Sequence, residues 1–349
     1  MATFEELLGS WDGEQAVIRR DRESGGWIFI CMHSTHLGPA AGGTRLKVYE
    51  SAADGLRDAM RLSAGMTAKL AVADLGLGGG KAVLAVPAIP EGDERRALLH
   101  RYGDMVDSLR GGFITSSDVG TGEEDMDVIA EHTQHVFGRS RASGGAGDPG
   151  PFTAVGVLHG IKASVAHVHG SNDLTGRTVL VQGAGSVGGA LAELLGREGA
   201  EVLVADVDEA RAGAIASAVG GAQVDAGAAL QIECDVYAPC ALGATLSSES
   251  IPALHCRIVA GSANNQLAKP EDAELLSAAG ILYAPDYVIN AGGAIAINFL
   301  EVHDRSQADV DAALENIGQT LKEIYERADA EAISTAAAAD ALAASRLSA

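Results

Sequence analysis

The run Thr178-Val179-Leu180-Val181-Gln182-Gly183-Ala184-Gly185-Ser186-Val187-Gly188 constrains the architecture more tightly than any other part of the chain. Its first five residues are mostly β-branched and apolar, which predicts a short buried strand. The glycines then fall at G-x-G-x-x-G spacing, and an Ala- and Leu-rich helical stretch follows. A second strand-like run, 201–206, ends on Asp206, about twenty residues past the glycines. Strand, glycine turn, helix and delayed acid together form a dinucleotide fingerprint. In that reading Gly183 makes the tight turn, Gly185 lets backbone approach a pyrophosphate, and Gly188 allows close helix–strand packing. Ser186 and Val187 open the helix whose N-terminus faces the phosphates. Asp206 accepts from the adenosine ribose hydroxyls and repels a 2′-phosphate, so NAD is expected over NADP. The bland alternative is a structural glycine-rich turn with no ligand.

Further apolar runs at 235–238, 257–260 and 281–284 alternate with Ala-rich helical segments, the pattern of a doubly wound parallel sheet. Upstream, a Gly25-Gly26 turn precedes the strand-like run 27–32. Leu98, Leu99, Tyr102, Met105, Val106 and Leu109 then recur along one stripe of a helix. The Gly-, Pro- and Ser-rich segment Ser140 to Phe152 is the natural break. The expected organisation is α/β in two domains separated by a cleft: an N-terminal α/β substrate-binding, catalytic and oligomerisation domain over 1–140, and a Rossmann NAD-binding domain over 141–290. C-terminal helices over 291–349 are expected to pack back toward that cleft, with the tail from Ala328 fraying.

The 349 residues carry 25 Lys+Arg against 47 Asp+Glu, a formal charge of −22. Such a balance argues against nucleic-acid or anionic-membrane partners, which need a cationic surface. Glycine, at 44 residues, is roughly twice as frequent as the average of about 7%. Cys31, Cys234, Cys240 and Cys256 form no C-x-x-C pair, and no H-E-x-x-H occurs, so no metal is expected. His132 and His135 lie three apart but read as solvated helix residues. The acidic start MATFEELLGSWDGEQ shows no signal pattern, no run of 18 apolar residues is present, and a cytoplasmic location is expected.

Two more glycine clusters, GPAAGGTR (38–45) and GLGGGK (76–81), lack dinucleotide context, and Lys81 precedes alanine, which excludes a P-loop. Glycine runs expose backbone N–H groups that can bind a carboxylate. A lysine following such a run in a desolvated pocket would have its pKa lowered toward that of a general base. Taken alone, Lys81 is more often an ordinary surface lysine, and Asp118 a turn residue before Gly120.

Their company changes that. GPAAGGTR, AGMTAKLA (64–71), GGGKAV (78–83), ITSSDVGT (114–121), DMDVI (125–129), GRS (138–140), GAGSVG (183–188), YAPCALG (237–243), GSANNQ (261–266) and YAPDYVINAGG (283–293) occur in that order. Together they resemble the glutamate/leucine/phenylalanine/valine dehydrogenase family, in its branch acting on hydrophobic L-amino acids. The resemblance implies oxidative deamination of an L-amino acid with NAD to a 2-oxo acid and ammonia, reversibly, by a homo-oligomer. It implies that Lys69 and Asn264 hold the substrate carboxylate, helped by Gly42, Gly43 and the neighbouring Met66. Lys81 becomes the general base on water, and Asp118 exchanges protons with the amine and ammonia. Thr153 and Asn290 are placed near the nicotinamide. The side-chain pocket falls to Ala41, Ser116, Ala294 and Ile297; three of the four are small, which favours phenylalanine. A valine- or leucine-type branched-chain enzyme is the alternative, and a non-catalytic NAD-binding regulator a further one.

Overall fold

Two sheets of different construction organise the protein in a computed structural model that describes residues 4–9, 11–241 and 243–348. Leu242, in the YAPCALG stretch, lies outside the described residues. Residues 1–148, 297–304 and 346–349 form one unit; residues 149–296 and 305–345 form the other. The division thus falls at 148/149, inside the Gly- and Pro-rich segment, and the C-terminal third is shared between the units.

The first unit begins with helix α1 (Phe4–Gly9). Its sheet contains β1 (Gln15–Arg20), β2 (Trp27–Ser34), β3 (Ala40–Val48), β4 (Gly78–Val86) and β5 (Phe113–Ser117), in the spatial order β1-β2-β4-β3-β5. β1 and β4 run antiparallel to β2, whereas β3 is parallel to β4 and to β5. Side chains alternate between faces along a strand. Ala82, Leu84 and Val86 of β4 therefore pack with Ile28, Ile30 and Leu46 in a core under α3 (Gly92–Asp107) and α4 (Glu123–Ala130). Val83 and Ala85 take the opposite face with Phe29 and Cys31, against Leu56, Ala59 and Met60 of α2 (Ala52–Val72). The apolar stripe read between residues 94 and 109 is the buried face of α3.

Most of each of the two glycine clusters lies in a strand, with Gly38 and Gly76 in the turns that precede them. Gly42 and Gly43 lie in β3, paired with Thr115 and Ser116 of β5, and Gly78 to Gly80 run directly into Lys81 along β4. Close approach of backbone, not a free turn, is what selects glycine here. A Cβ on Gly42 would stand 1.8 Å from the Gly80 carbonyl oxygen, and one on Gly79 would stand 2.1 Å from Thr67 N on α2.

The second unit comprises α5 (Gly150–His169), β6 (Thr178–Gln182), α6 (Ser186–Arg197), β7 (Glu201–Ala205), α7 (Glu209–Ala218), β8 (Ala222–Gln223), β9 (Val236–Pro239), β10 (Ile258–Val259), α8 (Asp272–Ala278), β11 (Leu282–Tyr283), α9 (Asp286–Ile289), α10 (Gly292–Ile297, its last residue counted with the first unit), α11 (Gln307–Glu331) and α12 (Thr335–Ser348, its residues from 346 on counted with the first unit). All paired strands are parallel, in the order β11-β10-β9-β6-β7-β8. Numbered from β6, that is the 3-2-1-4-5-6 order of a Rossmann sheet, with its switch point between β6 and β9. α11 packs its apolar stripe on α5, where the Ser164 and Tyr325 hydroxyls meet at 2.7 Å. The Ala-rich tail does not fray as expected: α12 runs to Ser348 with Ala338, Ala339 and Ala343 buried. Among the described residues no helix is long and apolar enough to cross a membrane.

The contrast between glycines gives a stability test. Gly42→Ala forces a methyl onto backbone and is expected to destabilise by about 1–3 kcal/mol. Gly65→Ala, inside α2 with nothing within 4 Å of the added Cβ, is expected to stabilise by about 0.5–1 kcal/mol. Thermal melting of both variants, read as opposite shifts in Tm, checks the pair.

Candidate active site

In the first unit the chemistry-bearing side chains come off three adjacent strands. Lys81 shares the α2-facing side of β4 with Val83 and Ala85, and Arg45 of β3 sits opposite Val83. Asp118 directly follows β5. Lys81 is only 5% exposed, and its Nζ lies 3.1 Å from Asp118 Oδ2. The same oxygen accepts from Arg45 Nε at 2.8 Å. Gly43 makes the room: a Cβ there would stand 2.8 Å from Asp118 Cβ and 3.2 Å from Lys81 Nζ. The Asp118 turn is pinned by Thr121, whose hydroxyl accepts from Asp118 N at 3.0 Å and bonds the Thr44 carbonyl at 2.8 Å.

Burial drives Lys81 below the ordinary lysine pKa; Asp118 opposes that shift and Arg45 reinforces it. Burial also works to raise Asp118, but the Lys81 and Arg45 charges override it and hold the carboxyl below the usual carboxylate range. The result is a dry ionised carboxylate beside an amine that surrenders its proton more readily than a surface lysine. This is the arrangement of a general base with an anionic partner.

Met66 and Lys69 lie on the last turns of α2, both half-buried. Thr67 between them packs on Gly79, two residues before Lys81, so the lysine-bearing turn is pressed onto β4. Ala41 is buried in β3. Ser116 and Ile297 come together around Gly138, whose hypothetical Cβ would meet Ile297 Cδ1 at 3.6 Å and Ser116 Cβ at 3.9 Å. Gly138 (φ +72°) is held from the other side by Glu301. That carboxylate, on a π-helical turn at Asn298–Val302, accepts from Gly138 N at 3.1 Å and Ala146 N at 2.7 Å, while burial raises its pKa. Neither Arg45, Gly138 nor Glu301 was singled out from sequence. Arg45 was visible inside GPAAGGTR and Gly138 inside GRS, both without a role; Glu301 carried no signal.

In the second unit the fingerprint glycines differ in what they avoid. Gly183 has φ +108°, and its Cβ would stand 2.8 Å from Ala241 N, at the end of β9 beside the switch point. A Cβ on Gly188 would stand 1.8 Å from the Gly183 carbonyl oxygen. Gly185 is the exception. It caps α6 at φ −77°, which any residue adopts, and nothing lies within 4 Å of its Cβ. Neither conformation nor packing calls for glycine there, so the open space at this helix N-terminus fits a ligand phosphate. Ser186 and Val187 follow on the first turn of α6.

Asp206 ends its strand with Oδ2 accepting from Ala184 N at 2.6 Å and Oδ1 from Asp208 N at 2.8 Å. Those backbone bonds, Ala184 first, keep the carboxyl ionised to low pH. Asn290, buried on the last turn of α9, donates from Nδ2 to Asn264 Oδ1 at 2.9 Å and to the Ser262 carbonyl at 3.1 Å. Asn264 is exposed, with its side-chain oxygen engaged by Asn290. Thr153 on α5 accepts from Gly293 N at 3.1 Å and bonds the Pro149 carbonyl, tying the start of α5 to α10; Ala294 follows, half-buried.

Comparison with known proteins agrees with this geometry. Residues 19–135 match the family described as Glu/Leu/Phe/Val dehydrogenase, dimerisation domain, and residues 204–349 match Glutamate/Leucine/Phenylalanine/Valine dehydrogenase. Leucine dehydrogenase of Bacillus cereus is 41% identical over 98% of this chain and 93% of its own length. Valine dehydrogenase of Streptomyces coelicolor is 44% identical over 96% and 92%. The crystal structure of L-tryptophan dehydrogenase from Nostoc punctiforme superposes with a TM-score of 0.84 at 37% identity, covering 98% of each chain. A fold with a Rossmann unit and a second α/β unit bearing a buried lysine–aspartate pair defines a nicotinamide-dependent oxidoreductase of amino acids. The chain belongs to the glutamate/leucine/phenylalanine/valine dehydrogenase family.

Gly185→Ala separates a glycine kept for a ligand from one kept for the fold. The variant is expected to melt with wild-type Tm while its Kd for NADH, measured by fluorescence titration, rises at least about tenfold. Equal weakening of Tm and binding would return Gly185 to a structural role.

Proposed function

We propose that this chain catalyses NAD-dependent oxidative deamination of a hydrophobic L-amino acid, phenylalanine first among candidates, to the 2-oxo acid and ammonia, and the reverse amination. The observation that carries this reading is the buried Lys81 amine 3.1 Å from an ionised Asp118. Lys69 and Asn264 hold the substrate carboxylate, with Met66, Gly42 and Gly43 shaping the floor beneath it. A nicotinamide held in the second unit would supply the acceptor for the hydride leaving Cα. Neutral Lys81 then takes a proton from the water that adds to the resulting imine. Asp118 receives a proton from the substrate amine and returns it to the departing ammonia. One amino acid, one NAD and one water give one 2-oxo acid, one ammonium and one NADH with release of a proton.

Gly183, Gly185, Ser186, Val187 and Gly188 hold the pyrophosphate, Asp206 the adenosine ribose, and Thr153 and Asn290 border the nicotinamide. The Asp206 charge supports NAD over NADP, because a 2′-phosphate beside an ionised carboxylate is repelled. Ala41, Ser116 and Ala294, with Ile297 and the bare Gly138, support room for an aromatic side chain. The 41–44% identity to leucine and valine dehydrogenases supports a second reading, a branched-chain preference. A homo-oligomer belongs to the same proposal, supported by the dimerisation domain matched over 19–135. So does a cytoplasmic setting, supported by four cysteines that are free thiols.

NADH absorbance with a panel of L-amino acids tests this directly. Turnover of apolar amino acids and none of glutamate is expected; no signal with any of them at alkaline pH overturns the enzyme reading. A kcat/KM ratio favouring valine or leucine over phenylalanine selects the second reading. Asp206→Ser is expected to narrow the NAD/NADP ratio.

Lys81→Ala is expected to lower kcat by about 10²–10⁴-fold with NADH binding intact. Because Lys81 must be neutral to act, kcat/KM falls as pH drops through its depressed pKa. That limb therefore lies below the ordinary lysine value of 10.5. A limb at or above that value removes Lys81 as the base.

A further inference from the structure

Asp118 faces a problem that its lysine partner cannot solve. If Lys81 works as a base it spends part of every turnover neutral, and at that moment a dry carboxylate loses the cation beside it. A buried carboxylate without a counter-ion takes up a proton. The surroundings contain a second cation on the same oxygen. Arg45 Nε donates to Asp118 Oδ2 at 2.8 Å, and Arg45 NH1 donates to Asp58 Oδ2 at 2.9 Å. Asp58, on α2, is itself fixed by the Tyr49 hydroxyl at 2.7 Å and by Arg61 at 2.9 Å. The Arg45 and Asp118 side chains are about 15% exposed, so the contact is mostly shielded from solvent.

From this geometry we infer that Arg45 is a positioning residue for the reaction: clamped between Asp58 and Asp118, its guanidinium is the permanent counter-ion that holds the Asp118 carboxylate in place while Lys81 changes protonation state. The inference rests on the dehydrogenase reading above and deepens it. A guanidinium suits the role because it does not deprotonate in proteins and carries donors in a fixed fork. A lysine at 45 has one nitrogen and cannot span both carboxylates as the fork does.

The charge balance makes the same point. Arg45 from β3 is the cation that bonds Asp118 beside Lys81; behind it lie Asp58 on α2 and the Tyr49 hydroxyl just past β3, and Arg61, about half exposed, bonds Asp58 from the solvent side. With Lys81 protonated, Asp118 has two cations on the same oxygen; with Lys81 neutral, Arg45 remains. Arg45 thereby keeps the carboxylate paired when the amine is neutral, and its like charge disfavours the protonated amine. Without it, Lys81 becomes the sole direct cation on Asp118 and is held protonated. Asp58 acts in the opposite sense, adding negative charge that favours protonated Lys81.

The test reads Lys81 itself, independently of turnover. The chain has six lysines, so ¹³Cε-lysine NMR of the intact protein resolves them, with Lys81 assigned through Lys81→Arg. In Arg45→Gln the Lys81 titration midpoint is expected to rise by about one unit or more. In Arg45→Lys it stays closer to wild type, and in Asp58→Asn it falls. The acid limb of kcat/KM is expected to move with each midpoint, and Arg45→Lys to recover part of the kcat lost in Arg45→Gln. An unchanged Lys81 midpoint in Arg45→Gln overturns the inference, whatever happens to Tm. If that variant does not fold, Asp58→Asn decides: a midpoint that stays or rises overturns it. Should the wild type oxidise no amino acid while the midpoints shift as stated, the dehydrogenase reading falls and the counter-ion role of Arg45 stands.

Discussion

A primary amine inside a β-sheet is the constraint around which the first unit is built. Lys81 occupies a position in β4 whose neighbours on the same face are Val83 and Ala85. Removing an ammonium from water costs several kcal/mol even after the protein relaxes. The chain meets that cost by placing Arg45 on the adjacent strand β3 and Asp118 at the end of β5, one strand further over. Three parallel strands in fixed register are what bring these groups together, and Gly43 is the blank that lets them meet. The opposite face of the sheet is closed by Thr44, Tyr102 and Thr115, whose buried hydroxyls bond one another at 2.5 to 2.8 Å. That ring fixes the strands carrying Arg45 and Asp118 from behind, so the charged side depends on the ordered uncharged one.

The second unit solves a different problem, that of bringing backbone close to a large anionic ligand. Here the glycines divide by what a side chain would strike. Gly183 and Gly188 are demanded by the protein itself, through a positive φ and a carbonyl 1.8 Å from the would-be Cβ. Gly185 is demanded by nothing in the protein. A residue whose only reason lies in open space points to what fills that space, which is stronger than the spacing of three glycines by itself. The Asp206 carboxylate likewise serves twice, tying the glycine loop through Ala184 while remaining ionised beside it.

Much of this was legible in sequence, for physical reasons that differ by element. β6, its glycine turn and the acid after β7 follow from period, turn chemistry and spacing, and all three are local. The α3 stripe was readable for the same reason. The clusters at 38–45 and 76–81 carry no strand signal, because glycine has no side chain with which to show a period; in the fold most of each is a strand pressed against another backbone. The contacts that select glycine there, with Gly80 O and Thr67 N, belong to the folded sheet and not to the local sequence. Arg45 was quoted within a motif without a role, since its meaning comes from Asp58 and Asp118, 13 and 73 positions away. Gly138 was likewise quoted, within GRS, without a role, and Glu301 lies further out of reach: their contact joins residues 163 apart through a turn whose π geometry has no sequence signature.

The reaction and the substrate's side chain differ in how firmly the chain specifies them, and the difference is energetic. In the proposed reaction, proton transfer at a largely buried site turns on charges that interact strongly at about 3 Å, so loss of Lys81 or Asp118 is expected to change the mechanism outright. Side-chain choice turns on apolar space, where one methylene is worth only about 1–3 kcal/mol. Within the first unit Ser116, Ile297 and Gly138 lie together, and Glu301 fixes that spot by holding the Gly138 backbone. A single charge arrangement is thus compatible with more than one choice of hydrophobic side chain. Each new preference needs only small residues exchanged at the wall, provided the carboxylate anchoring that wall stays in place.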